Sequence, residues 1–149
     1  MEDVMNGSIA PIDPRGPRTN QAVLATALLV GFLADVRAVV PVFAAMLFLG
    51  AAFGSRYGPV LRLYADVVKP RLGPPSHLED PRPPRFAATV GVLFLVGASV
   101  AFLTGAPGLG WGLALIVAAL AALAATTGIC VGCEIWLVFA RRRNVELVA

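Results

Sequence analysis

A chain of 149 residues with 58% hydrophobic and only 14% charged side chains carries too little charge for an ordinary water-soluble domain, in which about a quarter of residues are charged. Its mean hydropathy of +0.79 points to a membrane protein, and its net charge of +3 comes from basic residues that are almost all arginine. Lipid phosphate already explains those arginines, so no nucleic-acid partner is expected.

The start of the chain, "MEDVMNGSIAPIDPRGPR" (1–18), has acids first and lacks an apolar core followed by a small-residue cleavage site. It reads as a short cytoplasmic tail rather than a secretory signal. The first apolar stretch, "TNQAVLATALLVGFLA" (19–34), is short against the roughly 20 helical residues that cross a ~30 Å hydrocarbon core. Its polar start is therefore expected within the interface. "AVVPVFAAMLFLGAAF" (38–53) follows directly after Asp35, Val36 and Arg37, which predicts a tight helical hairpin with Pro41 in the first turn, where a missing N–H costs little.

After Phe53 the chain turns polar. "VLRLYADVVKPRL" (60–72) has the spacing of an amphipathic helix lying in the interface, with Arg62, Lys69 and Arg71 at headgroup level. His77, the only histidine, falls in the Pro-rich stretch that follows and reads as a solvated loop residue rather than a metal ligand. "FAATVGVLFLVGASVAFLTG" (86–105) has a good spanning length and ends at the breakers "APGLG". The last apolar run, Trp111 to Ala140, would be about 45 Å long as one helix, more than a bilayer crossing needs. A break is expected near Gly128 to Gly132, placing "CVGCE" (130–134) at a membrane boundary.

The expected architecture is thus all-α and polytopic: four transmembrane helices in a single membrane domain, 19–149. Eleven of the twelve basic residues fall at one end of such a bundle, with Arg37 alone at the other. The positive-inside rule then puts both termini and the central linker, 54–85, on the cytoplasmic side of the inner (plasma) membrane. "DPRGPR" (13–18) and "DPRPPR" (80–85) match at five of six positions, and two helices intervene between them. The two halves, 13–72 and 80–143, therefore read as parallel helical-hairpin repeats about an axis along the membrane normal. The motif itself is explained by Pro starting a helix and Arg meeting headgroups, with a cytoplasmic collar that recognises an anion or a partner as the alternative. Laying "FGSRYGP" (53–59) over "TGICVGC" (127–133) sets Arg56 against Cys130 and places Arg56 and Tyr57 as electrostatic support for the cysteines.

Cys130 and Cys133 are the only cysteines. Thiolate is the reactive form, and CxxC pairs often have depressed pKa values; a cytoplasmic location disfavours a permanent disulfide. On a helix the pair would share a face at i and i+3, with Glu134 at i+4 from Cys130. The expected roles are Cys130 as reacting thiol, Cys133 as resolving thiol and Glu134 as proton acceptor. Three readings stand: a thiol redox or sulfur-transfer component, a soft-metal site completed by another chain because two thiolates and a carboxylate fall short of four ligands, or a scaffold or small-solute transporter whose cysteines only pack. The residues name no particular cofactor and leave that point open, and a single pair on the reducing side does not match the two-pair relay of a quinone-coupled disulfide generator. Expected partners are the lipid bilayer, a cytoplasmic thioredoxin-like or sulfurtransferase protein, and a second copy of the chain through the small-residue stretch "AALAALAATTG" (118–128), unless that stretch packs internally.

Taken together, "DPRGPR", "VKPRLGPPSHLEDPRPPRFA" (68–87) and "GICVGCE" (128–134) resemble a family of small bacterial, largely actinobacterial, integral membrane proteins defined as a domain of unknown function (DUF4395 type). The resemblance spans Ile12 to about Arg142 and implies a four-helix membrane protein without an assigned activity. A looser similarity to DoxX- and MauE-like membrane subunits tilts the reading towards thiol chemistry.

Overall fold

The computed structural model describes residues 13–53, 59–78 and 82–143, and all regular structure among them is helical. We label the helices α1 (Arg15–Leu33), α2 (Val39–Phe53), α3 (Pro59–Leu63, a π-helical turn Tyr64–Val68, then Lys69–Leu72), α4 (Arg82–Leu103), α5 (Pro107–Thr127) and α6 (Val131–Arg142).

Each boundary has a local cause. Pro14 stands at the N-cap of α1, where a missing N–H is harmless, and Asp13 just before it accepts the Arg15 N–H at 2.9 Å in a local turn. The last four residues of each "DPRxPR" motif, 15–18 and 82–85, form first helical turns, because α1 and α4 begin at Arg15 and Arg82, earlier than the apolar runs indicate. Helices α1 and α4 end alike. Asp35 (φ 51°) and Gly105 (φ 82°) adopt left-handed conformations, and the next N–H of each turns back to a helix carbonyl, Val36 to Gly31 and Ala106 to Ala101, both at 2.8 Å. This is the Schellman closure, with an aspartate in one copy where glycine is usual.

In the bundle, α1 lies against α5, α2 against α4, and α4 against α5, whereas the two helices of the first hairpin touch far less. Small residues make these contacts close: Ala98, Ala114, Ala118, Ala121 and Ala124 are buried around Leu28, Leu95 and Val40. The alanine stretch 118–128 thus spends much of its small-residue face inside the chain. Large side chains point outwards instead, with Leu103 88%, Leu33 83% and Leu93 68% exposed. Small-inside, large-outside packing suits a bundle whose surroundings are as apolar as its interior.

Helices α4 (22 residues) and α5 (21 residues) are long and apolar enough to cross a membrane. The expected four crossings are thereby met by two on length and hydropathy. Helix α2 has 15 residues, about 22 Å, and α1 begins with the polar turn "RGPRTNQ".

The last arginine of each "DPRxPR" motif reaches across the bundle. Arg85 donates through Nε and Nη2 to the Ala51 carbonyl at 3.2 and 3.0 Å, and through Nη2 to Ala52 at 3.3 Å, at the C-terminal end of α2. Arg18 donates to the Ala125 carbonyl, near the end of α5, at 3.5 Å. A cation there satisfies carbonyls that lack helical partners and complements the helix dipole. At the opposite end of the bundle Trp111 Nε1 donates to Asp35 at 3.1 Å, stacks edge-on with Phe32 and Phe102, and so ties the two hairpin turns together.

Two further helices flank the basic end. Helix α3 packs on α1, where the Tyr64 hydroxyl donates to Asp13 at 3.2 Å. Helix α6 packs on α4, with the Arg82 guanidinium 5.4 Å from the Trp136 ring centroid. The apolar-basic spacing of 60–72 does form a helix, and a π-helical turn at its centre interrupts the regular spacing.

Candidate thiol site at the α5–α6 junction

The helix break expected near Gly128 is produced by that residue. Its φ of 77° ends α5, with its N–H returning to Ala124 at 3.0 Å, and the Ile129 N–H is taken by Thr127 Oγ1 at 3.2 Å. The chain then extends at Cys130 (φ −95°, ψ 111°) and a new helix begins at Val131. Cys130 is consequently the N-cap of α6 and not a residue on its face. The expected i, i+3 arrangement on one continuous helix is corrected: Sγ of Cys130 accepts the Cys133 N–H at 3.4 Å, as an N-cap oxygen would.

Both thiols are half-buried and neither is in a disulfide. From α1, Gln21 Nε2 approaches Cys130 Sγ to 3.8 Å. The Arg18 guanidinium lies beside Gly128, 3.7 Å from where a Cβ would stand. From α4, Ala87 meets Gly132 so closely that a Cβ there would lie 2.7 Å from Ala87 Cβ and 2.9 Å from its Cα. Glycine is therefore what lets the first turn of α6 seat against α4.

Hydrogen bonding at the sulfur favours its anion. The Cys130 thiol is lowered from its ordinary value of 9.0 to about 6, foremost by the hydrogen bond from the Cys133 side chain. Partial burial opposes this, and the backbone N–H groups of Cys133 and Gly132 and the Gln21 amide add to it. Charge-assisted hydrogen bonds of this kind are stronger than neutral ones.

Of the residues singled out in the sequence, the structure brings Cys130 and Cys133 together and places Glu134 next to them with an exposed side chain. Glu134 reaches Cys130 through its backbone N–H, 2.9 Å from the Cys130 carbonyl, while its side chain borders an open apolar groove with Ile129, Val131, Ile135, Val138 and Phe139. Arg56 and Tyr57 lie outside the described residues. Gln21 escaped the sequence reading, as did the place of Arg18 and the close seat of Gly132 at this junction. The polar triplet Thr19-Asn20-Gln21 is the available signal, and at the start of an apolar run it reads equally as membrane interface. Among the described residues no group of three or more His, Cys, Asp or Glu could hold a metal ion, and His77 is exposed with Nδ1 3.1 Å from Ser76 Oγ.

Fold and site together define a helical protein with two membrane-length helices and a paired-cysteine helix start at one end of its bundle. The chain belongs to the family described as Domain of unknown function (DUF4395), whose model matches residues 12–141 and so takes in both "DPRxPR" motifs and the CxxC. No curated protein and no solved structure matches the chain, and the looser likeness to DoxX- and MauE-like subunits finds no support in these comparisons.

Proposed function

We propose that this protein is a multi-pass inner-membrane component that passes electrons or sulfur through Cys130 and Cys133 at the cytoplasmic surface. The observation that carries the reading is the seat of Cys130: its sulfur caps α6 and accepts the N–H of the cysteine three residues on. A thiolate so held is a nucleophile near neutral pH, and the second thiol stands beside it to resolve what it forms.

In the redox form, the Cys130 thiolate attacks a partner disulfide, making a mixed disulfide and releasing the partner's other sulfur as thiolate. Cys133 then gives its proton to Glu134 or water and attacks the Cys130 sulfur. The partner leaves fully reduced, two electrons having passed to it, and the CxxC is left as a disulfide. In the sulfur-transfer form the thiolate takes the outer sulfur of a persulfide, and the donor leaves as a thiolate. A thioredoxin-like or sulfurtransferase protein of the cytoplasm supplies either partner. Since the Cys130 thiol is held well below its ordinary value, the step that calls for a proton acceptor is the attack by Cys133.

The multi-pass layout, with α1, α2, α4 and α5 crossing and both termini cytoplasmic, is supported by the outward-facing large apolar side chains and by the arginines at one end of the bundle. The two-repeat reading is supported by the matched Schellman ends of α1 and α4 and by the crossed contacts of Arg18 and Arg85. Differential alkylation of native membranes with permeant and impermeant reagents, read by mass spectrometry, tests the thiol chemistry. A pair that cycles near cytoplasmic thioredoxin potentials, about −270 mV, or that carries extra sulfur, is the expected result. Two thiols inert under every redox condition would leave a scaffold or transporter.

A further inference from the structure

Gln21 is a carboxamide on a helix whose inner face is otherwise apolar, at Leu24, Ala25 and Leu28. It sits three residues after Arg18, on the same side of α1, and both side chains reach the junction after α5. Arg18 stops at the Ala125 carbonyl. Gln21 goes on to the sulfur of Cys130, 109 residues away in the chain.

We propose that Gln21 is the positioning residue of the thiol centre: by donating from a separate helix to the Cys130 sulfur, its amide holds that sulfur at the α6 N-cap and favours thiolate over thiol. The inference rests on the thiol reading above and assigns part of it to α1. A half-buried amide costs free energy unless it is hydrogen-bonded, and the amide hydrogens supply what a sulfur anion accepts and a protonated thiol needs less. Because the amide is neutral, its influence is that of one hydrogen bond and not of a field.

The charged groups around the centre are Arg18 on α1, Arg82 and Arg85 on α4, and Glu134 on α6. Arg82 stacks on Trp136, Arg85 is engaged with the end of α2, and the Glu134 side chain is exposed. Gln21→Leu and Gln21→Asn bring in no charge that would act on these four, so their contribution cancels between those variants and wild type.

The experiment follows the rate of Cys130 alkylation by iodoacetamide against pH, in the full chain reconstituted in lipid nanodiscs, with the modified cysteine identified by mass spectrometry. Wild type, Gln21→Leu, Gln21→Asn and Gln21→Glu are compared, with thermal unfolding as the control for folding. The wild-type midpoint is expected near pH 6. Gln21→Leu and Gln21→Asn should raise it, lowering the rate at pH 6 by about three- to tenfold, the worth of one ordinary hydrogen bond, as suits a contact of 3.8 Å. Gln21→Glu, of the same shape but negatively charged, should raise it further.

A low wild-type midpoint that none of the three substitutions moves would overturn the role of Gln21 and leave the thiol reading standing. An ordinary wild-type midpoint, near 9, would overturn the thiol reading itself and this inference with it. Loss of folding confined to Gln21→Leu leaves the decision with the two polar variants, which keep a hydrogen-bonding side chain on α1.

Discussion

At the Cys130 sulfur, hydrogen bonds outweigh burial, and the largest contributor is the neighbouring thiol. Cys133→Ala should therefore raise the Cys130 alkylation midpoint more than removal of the Gln21 amide, while Glu134→Gln should leave it in place, since that side chain is exposed and only the Glu134 backbone N–H meets Cys130. The pH–alkylation profile of each variant reads this directly. A folded thiol near 6 against 9.0 unfolded also couples to stability: the unfolded chain holds the extra proton between those values, so stability rises with pH across that window and the gain is lost as pH falls through 6. Gly132 is the second decisive residue. Gly132→Ala puts a methyl against Ala87 Cβ and Cα, and overpacking of that kind costs about 1–3 kcal/mol. A lower unfolding temperature in detergent and faster alkylation of Cys133 are the expected outcomes, as α6 lifts from α4.

At the scale of elements, two arginines do one job with unequal geometry. Arg85 makes three contacts to two carbonyls ending α2, whereas Arg18 makes a single contact at 3.5 Å near the end of α5. Arg85→Ala should cost about 1–3 kcal/mol, the penalty for leaving acceptors unsatisfied, and Arg18→Ala less; thermal unfolding of the pair measures the difference. Arg85→Lys should recover only part, because a point charge cannot reproduce the forked contact. The motif, the Pro starts and the breaker at Gly128 were legible in the sequence, because capping and left-handed turns are local. What the arginines hold was not, since Ala51 and Ala125 are unremarkable as sequence and become partners only when helices lie side by side.

Among the described residues, large apolar side chains face outwards and every arginine but Arg37 lies towards the end of the bundle that holds the cysteines, so the environment should be lipid. Resistance to carbonate extraction is the expected behaviour. An impermeant maleimide should label Cys130 in inside-out vesicles and not in intact cells; the reverse pattern would invert the topology. The spanning count follows from the same scale. Helix α2 measures about 22 Å along its axis, so a crossing there requires the residues that flank it or a thinner bilayer.

The order of residues read locally determined that the chain is helical and apolar, that the last apolar run breaks near Gly128, and that a cysteine pair stands at that break, because these follow from near-neighbour physics along one chain. Only the tertiary structure decided that Cys130 caps α6, that Gln21 from α1 meets its sulfur, and that the alanine face of α5 is spent inside the bundle. Those facts depend on which helix surfaces come together, and contacts between residues a hundred positions apart leave no local trace in the order of amino acids.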